Sequence, residues 1–183
     1  MCLIKRIWYK IRGERSLTIY EQSDLLITAL RNNGAKIGNN VTIINSEIDA
    51  NNRYLIEIGN DVLITGSTVL THDACMLKST GYIKIGKVVI GNNVFVSKGC
   101  MILPNTTIGD NVIVGAGVIV AKDVPSNVVI VGNPWRVLCS YDEMIAKHKK
   151  IMEDAIVVTS EEYREDKLKN AVKEKGFCYI KKW

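Results

Sequence analysis

Residues 90–124 read IGNNVFVSKGCMILPNTTIGDNVIVGAGVIVAKDV. Steps of six from Ile90 reach Val96, Ile102, Ile108, Val114 and Val120, every one Ile or Val. The fourth residue after each is Val94, Cys100, Thr106, Val112, Val118 and Val124, all small or β-branched. Gly follows the first place at Gly91, Gly109 and Gly115. A repeat held in one phase over this length outranks any single motif, because repeated units bury a core only by stacking on one another. A unit of six with two inward residues is a short strand and a turn. Three units make a triangular coil, and coils stack at about 4.8 Å, the strand spacing. The first place fills the interior, and the fourth faces a crowded corner that takes smaller side chains. Asn92-Asn93 and Asp110-Asn111 suit turns that visit positive φ. A sandwich of alternating strands would show turns every 8–12 residues or so, and it would not keep the hexads in phase.

The same pattern runs upstream. Ile58, Ile64 and Leu70 step by six, with Val62 and Thr68 in the fourth place. Ile37 and Ile43 form an earlier pair, with Gly38 and Val41. The gaps from Ile43 to Ile58 and from Leu70 to Ile90 are not multiples of six, so loops are expected near residues 46–53 and 75–88. The fold predicted is an all-β solenoid, a parallel β-helix over residues 37–138. An N-terminal helical cap over 1–36 and a C-terminal helical extension over 139–183 would flank it. Helical patterns cover residues 23–30, 141–155 and 160–175, and capping elements are expected because a bare solenoid end exposes its core.

Composition agrees with a single β-rich core. Apolar residues make up 47% of the 183 and aromatic residues only 7%, so Ile, Val and Leu must do the packing. The net charge of +5 is too small to argue for nucleic acid and fits a phosphate-bearing cofactor or an anionic surface better. The five cysteines are odd in number and lack CxxC spacing, which points to a reduced, cytoplasmic setting. No stretch approaches the roughly 18 apolar residues of a membrane span.

The repeats resemble the hexapeptide-repeat family, whose members fold as left-handed parallel β-helices; the handedness comes from the resemblance and not from the period. The run from Ile90 to Leu138, with its GAG, AKDVP and GNP elements, is similar to the coenzyme A half of the galactoside, maltose and capsule-sugar acetyltransferases. With the coils before it, the resemblance covers about residues 37–138. It implies acetyl-CoA as co-substrate, a homotrimer with sites between subunits, a sugar-like acceptor and O-acetylation, with no metal. By position, Lys98 would offer its backbone N–H to the thioester carbonyl. Ala116 and Gly117 would let the pantetheine approach the coil, and Ala121 and Lys122 would line the groove further out. Lys122 and Arg136 would face the phosphates and adenine end. Phe95 also falls on the cofactor side and stands where many relatives carry Trp, while Ala121 stands where several carry Thr.

Two histidines occur. His148 lies in the charged run Lys147-His148-Lys149-Lys150 and reads as a surface residue. His72 follows Leu70 by two places, at the start of the long insertion, where the resembled enzymes carry their catalytic histidine. An acceptor hydroxyl or amine must lose a proton as it attacks a thioester, and imidazole titrates in the range where it can take one. Asp73 could orient His72, but neighbouring side chains on extended backbone point apart, which favours an acceptor-binding or structural role. Asn51 in the first loop could bond a sugar or simply make a turn. Zinc catalysis, as in the hexapeptide carbonic anhydrases, wants three protein ligands, and two histidines do not supply them. N-acetylation of an amino sugar, acetylation of an antibiotic, and a non-enzymatic assembly module are the alternatives. Residues 3–12 carry Leu3, Ile4, Ile7, Trp8 and Ile11 at helical spacing with bases off that stripe. Such a segment can lie on an anionic membrane surface or cap the first coil.

Overall fold

The computed structural model describes residues 16–153, 155, 157–159 and 179–181. The segment 1–13 and the helix expected over 160–175 lie outside the described residues. The chain divides into a unit of residues 1–141 and a unit of residues 142–183.

The first unit opens with α1 (Ile19–Asn32). Its start is fixed by a capping box. The Thr18 hydroxyl accepts from the Glu21 N–H, and the Thr18 N–H donates to the Glu21 carboxylate. Its inner face buries Ile27 and Leu30, and the Ser23 hydroxyl accepts the Ile43 N–H at 2.8 Å. The helix thus closes the open end of the first coil, whose backbone would otherwise go unpaired. The pattern over 23–30 marked the centre of this helix; the cap places its start earlier.

Each coil contributes one strand to each of three parallel sheets. The first coil is β1 (Lys36–Ile37), β2 (Thr42–Ile44) and β3 (Glu47–Ile48). The second is β4 (Ile56–Ile58), β5 (Leu63–Thr65) and β6 (Thr68–Val69). An insertion follows, with β7 (His72–Asp73) and β8 (Lys84–Ile85) antiparallel and the short α2 (Leu77–Thr80) between them. The third coil is β9 (Val88–Ile90), β10 (Val94–Val96) and β11 (Met101–Ile102). The fourth is β12 (Thr106–Ile108), β13 (Val112–Val114) and β14 (Ile119–Val120). A fifth begins at Val124 and β15 (Val128–Val131). The chain then reverses, and β16 (Arg136–Ser140) runs antiparallel to β15, ending the solenoid.

The first-place residues are the core. Ile58, Ile64, Ile90, Val96, Ile102, Ile108, Val114 and Val120 are all at most 4% exposed. The second coil departs from the six-step reading: Ser67 and Val69 turn inward in place of Thr68 and Leu70. The cause is a corner shorter by one residue. Ile43 to Ile48 and Ile64 to Val69 span five positions, whereas Val96 to Ile102 spans six. Ser67 knits the short corner to the longer one, donating to the Ser97 carbonyl at 2.7 Å and accepting from the Cys100 N–H at 3.0 Å.

At the corner between the first and second strands of each coil, Asn40, Asp61, Asn93, Asn111 and Asn127 take positive φ. Their side chains form a ladder, Asn93 to Asn111 and Asn111 to Asn127, each at 2.8 Å. The neighbouring Gly91 has a different reason. A Cβ there would meet the Gly109 carbonyl oxygen of the next coil at 2.8 Å.

From the last residue of the first unit, α3 (Tyr141–Glu153) runs on into the second, where β17 (Val157–Thr159) is parallel to β18 (Tyr179–Lys181). His148 Nδ1 lies 3.3 Å from the Tyr179 hydroxyl.

Candidate active site

The corner that joins the third strand of one coil to the first strand of the next holds His72 and its polar partners. In the first coil this corner is residues 49–55, and in the second it is the insertion from Leu70 to Lys87. Asp49 leaves β3 with its side chain 1% exposed. One carboxylate oxygen accepts the Thr71 N–H at 3.0 Å and the Thr71 hydroxyl at 2.6 Å. The same oxygen lies 2.5 Å from His72 Nδ1. The other oxygen accepts the Asn51 N–H at 3.0 Å. Burial alone would raise the Asp49 carboxyl. The Thr71 hydroxyl, the Asn51 amide, His72 and the Thr71 amide outweigh it and hold the group well below the usual carboxylate range. An ionised carboxylate only accepts hydrogen bonds, so Nδ1 of His72 carries the hydrogen. In the neutral ring the lone pair is then on Nε2, which has no partner among the described residues. The imidazole is about a third exposed.

Asp73 takes no part in this pair. One of its oxygens accepts the Cys75 N–H at 2.9 Å and the other meets Lys84 Nζ at 3.3 Å. The Cys75 amide, the Cys75 thiol and then Lys84 lower its carboxyl, and the Asp73 carboxylate in turn raises the Cys75 thiol. Adjacent side chains on β7 do point apart, and the orienting carboxylate comes from the preceding coil. Asn51 is exposed beside Asp49. Sequence reading missed Asp49. The signal was there: six steps past Ile43 the phase lands on an aspartate, directly before a gap in the repeat.

Ala121 and Lys122 occupy the same corner two coils beyond His72. Lys122 Nζ sits 4.6 Å from the Trp135 ring centroid, a cation–π contact. With Ile119, Asn133 and Pro134 these residues line an open pocket of about 390 Å³. Lys98, Ala116 and Gly117 lie on the opposite edge of the third sheet, stacked in successive coils. The Lys98 carbonyl accepts the Gly117 N–H at 3.0 Å, while the Lys98 N–H has no partner among the described residues. Gly117 has φ +74° and nothing within 4 Å of a Cβ placed on it. Its need for glycine is therefore conformational, and the space in front of it is open. Asn133 braces this turn, donating to the Gly117 carbonyl at 2.7 Å and accepting the Ile119 N–H at 2.8 Å. Phe95 points outward at the centre of the second sheet, paired with Leu63 and Ile113. Arg136 is exposed at the start of β16. One chain therefore distributes the expected cofactor residues over both edges of the third sheet and onto the second; it does not gather them in one cleft.

A triangular parallel β-helix with a histidine-bearing insertion defines a class of repeat-built transferases, and the comparisons with known proteins agree. Residues 87–122 match the family described as bacterial transferase hexapeptide, six repeats. Protein CapG of Staphylococcus aureus is 39% identical over 146 residues, 76% of this chain and 83% of that protein. Galactoside O-acetyltransferase of Escherichia coli is 39% identical over 92 residues, 46% of this chain. The match spans 44% of that enzyme, less than half its length. Among solved structures, a hexapeptide-repeat acetyltransferase from Vibrio cholerae complexed with acetyl coenzyme A matches with a TM-score of 0.53. It is 26% identical, with 59% of this chain and 61% of that one covered. The chain belongs to the hexapeptide-repeat acetyltransferase family, and its solenoid is the family's left-handed parallel β-helix. Among the described residues, no helix is long and apolar enough to cross a membrane.

Proposed function

We propose that the protein transfers an acetyl group from acetyl-CoA to a hydroxyl of a sugar, with His72 as general base. The observation that carries this reading is the Asp49–His72 pair, a buried ionised carboxylate fixing a part-exposed imidazole through Nδ1. That arrangement leaves Nε2 to take the proton of an attacking hydroxyl, while Asp49 stabilises the imidazolium that results. Asp49 is a positioning residue and His72 the catalytic one. The thioester is already activated, so direct attack suffices and no acyl-enzyme is needed. The collapsing intermediate releases coenzyme A as the thiol.

The co-substrate fits the opposite edge. The unpaired Lys98 N–H can donate to the thioester carbonyl as negative charge develops on it. The open face at Ala116 and Gly117 admits the pantetheine arm, while Ala121 and Lys122 line its continuation from the His72 edge of the neighbouring subunit. Lys122 and Arg136 supply cations for the phosphates, and Phe95 flanks this side. Because these groups sit on two edges of one chain, a complete site takes one edge from each of two subunits, and a homotrimer supplies three such sites. Hydroxyl acetylation is supported by the similarity to the galactoside enzyme. Asn51 and Asp73 border the acceptor side.

The test is release of free thiol from acetyl-CoA in the presence of simple glycosides, with the matched amino sugars in parallel. Thiol release dependent on a glycoside hydroxyl is expected. Release only with amino sugars would move the reading to N-acetylation, and no acetyl-CoA binding at all would leave an assembly module.

A further inference from the structure

The segment from Asp49 to β4 ends in one turn of 3₁₀ helix, Arg53–Leu55, with the Leu55 N–H donating to the Asn52 carbonyl at 2.9 Å. Arg53 is half-buried there, and its Nε is shut off from solvent without a hydrogen-bond partner. No hydrogen bond or ion pair reaches its guanidinium among the described residues. Three other bases along this edge are engaged. Lys36 and Lys87 each meet Glu57 at 2.7 Å, and Lys84 meets Asp73 at 3.3 Å. Asp49 does not serve Arg53 either: its oxygens meet Thr71, His72 and Asn51.

A guanidinium carries five donors and cannot shed its charge, so holding it half-dry with no acceptor is unfavourable. The chain tolerates this on the one segment that also supplies the carboxylate behind His72. We infer that Arg53 receives an oxyanion of the acceptor, a carboxylate or a phosphate ester on the sugar, while a nearby hydroxyl is presented to His72. The inference rests on reading this corner as the acceptor side of an acetyltransferase. The planar fork of arginine matches both oxyanions through two parallel N–H···O bonds, which a lysine cannot reproduce. An acidic acceptor would satisfy the buried Nε, and a neutral sugar would leave it unpaired. Discrimination of this kind is large, because the wrong ligand strands a buried donor.

Titration calorimetry on the full chain with D-glucuronate, glucose 1-phosphate and glucose tests it. At least one anion should bind about tenfold or more tightly than glucose, and the stronger of the two tells carboxylate from phosphate. Arg53→Gln should abolish the preference without changing coenzyme A affinity, and Arg53→Lys should keep part of it. Glucose binding as tightly as both anions would overturn the inference. So would Arg53→Gln weakening all three sugars alike, weakening coenzyme A instead, or lowering only the melting temperature. Coenzyme A binding and thiol release, measured on the unaltered protein, report separately on the acetyltransferase reading.

Discussion

Asp49 and His72, 23 residues apart in the chain, meet at 2.5 Å because one coil of the solenoid returns the backbone above the point it left. Asp49 directly follows the third strand of the first coil, and His72 lies near the start of the insertion at the same corner of the second. The contact is therefore a product of coil register: Glu47 pairs with Thr68 and Ile48 with Val69, which places Asp49 under Thr71 and His72.

The first prediction tests the base. His72→Ala should lower kcat by about 10²–10⁴ with little change in acetyl-CoA affinity, since general-base help is realised only in the transition state. Steady-state kinetics with a responsive acceptor decides it; unchanged turnover would remove His72 from the mechanism.

The second separates positioning from catalysis. Asp49→Asn keeps the size of the side chain but loses the charge that favours imidazolium, so kcat should fall and the pH–rate profile should shift. It also carries a stability signature. The folded Asp49 carboxyl lies below its unfolded value of about 3.9, so its contribution is fully present above that pH. The contribution is lost as pH falls toward the folded value. The gap in unfolding free energy between the parent and Asp49→Asn should thus be full at pH 6 and shrink under acid, measured by denaturant titration. A gap that widens under acid would reverse the assigned sign.

These two residues also show what the sequence made legible. The hexad phase announced the solenoid, its core and the place of the insertion, because Ile or Val at fixed spacing is a direct image of an inward-facing strand. His72 was visible through the resemblance. Asp49 was not, because its role depends on stacking, and stacking at this corner follows a turn one residue shorter than the period implied. The same short turn explains why Val69, and not Leu70, fills the core. Trp135 escaped notice for a related reason: it reaches Lys122 only after the chain reverses past the last full coil.

The third prediction distinguishes two glycines. Gly91→Ala puts a Cβ 2.8 Å from the backbone of the next coil, so neither chain can yield without breaking the stack. Gly117→Ala meets open space but must hold φ near +74°, a conformation costing an L-residue roughly 1–2 kcal/mol. Thermal melts should show the larger loss for Gly91→Ala, while coenzyme A affinity should fall more for Gly117→Ala. The opposite order of affinities would mean the open face at Gly117 is not where the ligand approaches, and the opposite order of melts would mean the stack yields at Gly91.

A fourth concerns the phosphates. Lys122→Ala and Arg136→Ala should each weaken coenzyme A more than dephospho-coenzyme A if these bases pair with the 3′-phosphate. If Lys122 must leave the Trp135 face to do so, Trp135→Leu should change the affinity for coenzyme A more than that for dephospho-coenzyme A. Equal losses of the two ligands for Lys122→Ala and Arg136→Ala would place these bases elsewhere.

The last prediction concerns the shared site. His72 stands on one edge of the third sheet and Ala116 on the other, facing different neighbours in any assembly that packs the solenoids side by side. If one site takes His72 from one subunit and Ala116 from the next, two inactive variants can repair each other. His72→Ala removes the base, and Ala116→Trp fills the pantetheine face on an exposed turn without disturbing the core. Each homotrimer should be inactive. Denatured together in equal amounts and refolded, they should yield mixed trimers in which about a quarter of the sites draw an intact edge from both subunits. Activity should return toward that fraction and stay absent when the two are refolded separately and then combined. No recovery from mixed trimers, with their formation verified by native mass spectrometry, would mean each site is built from a single chain, and light scattering that shows only monomers would remove the shared site altogether.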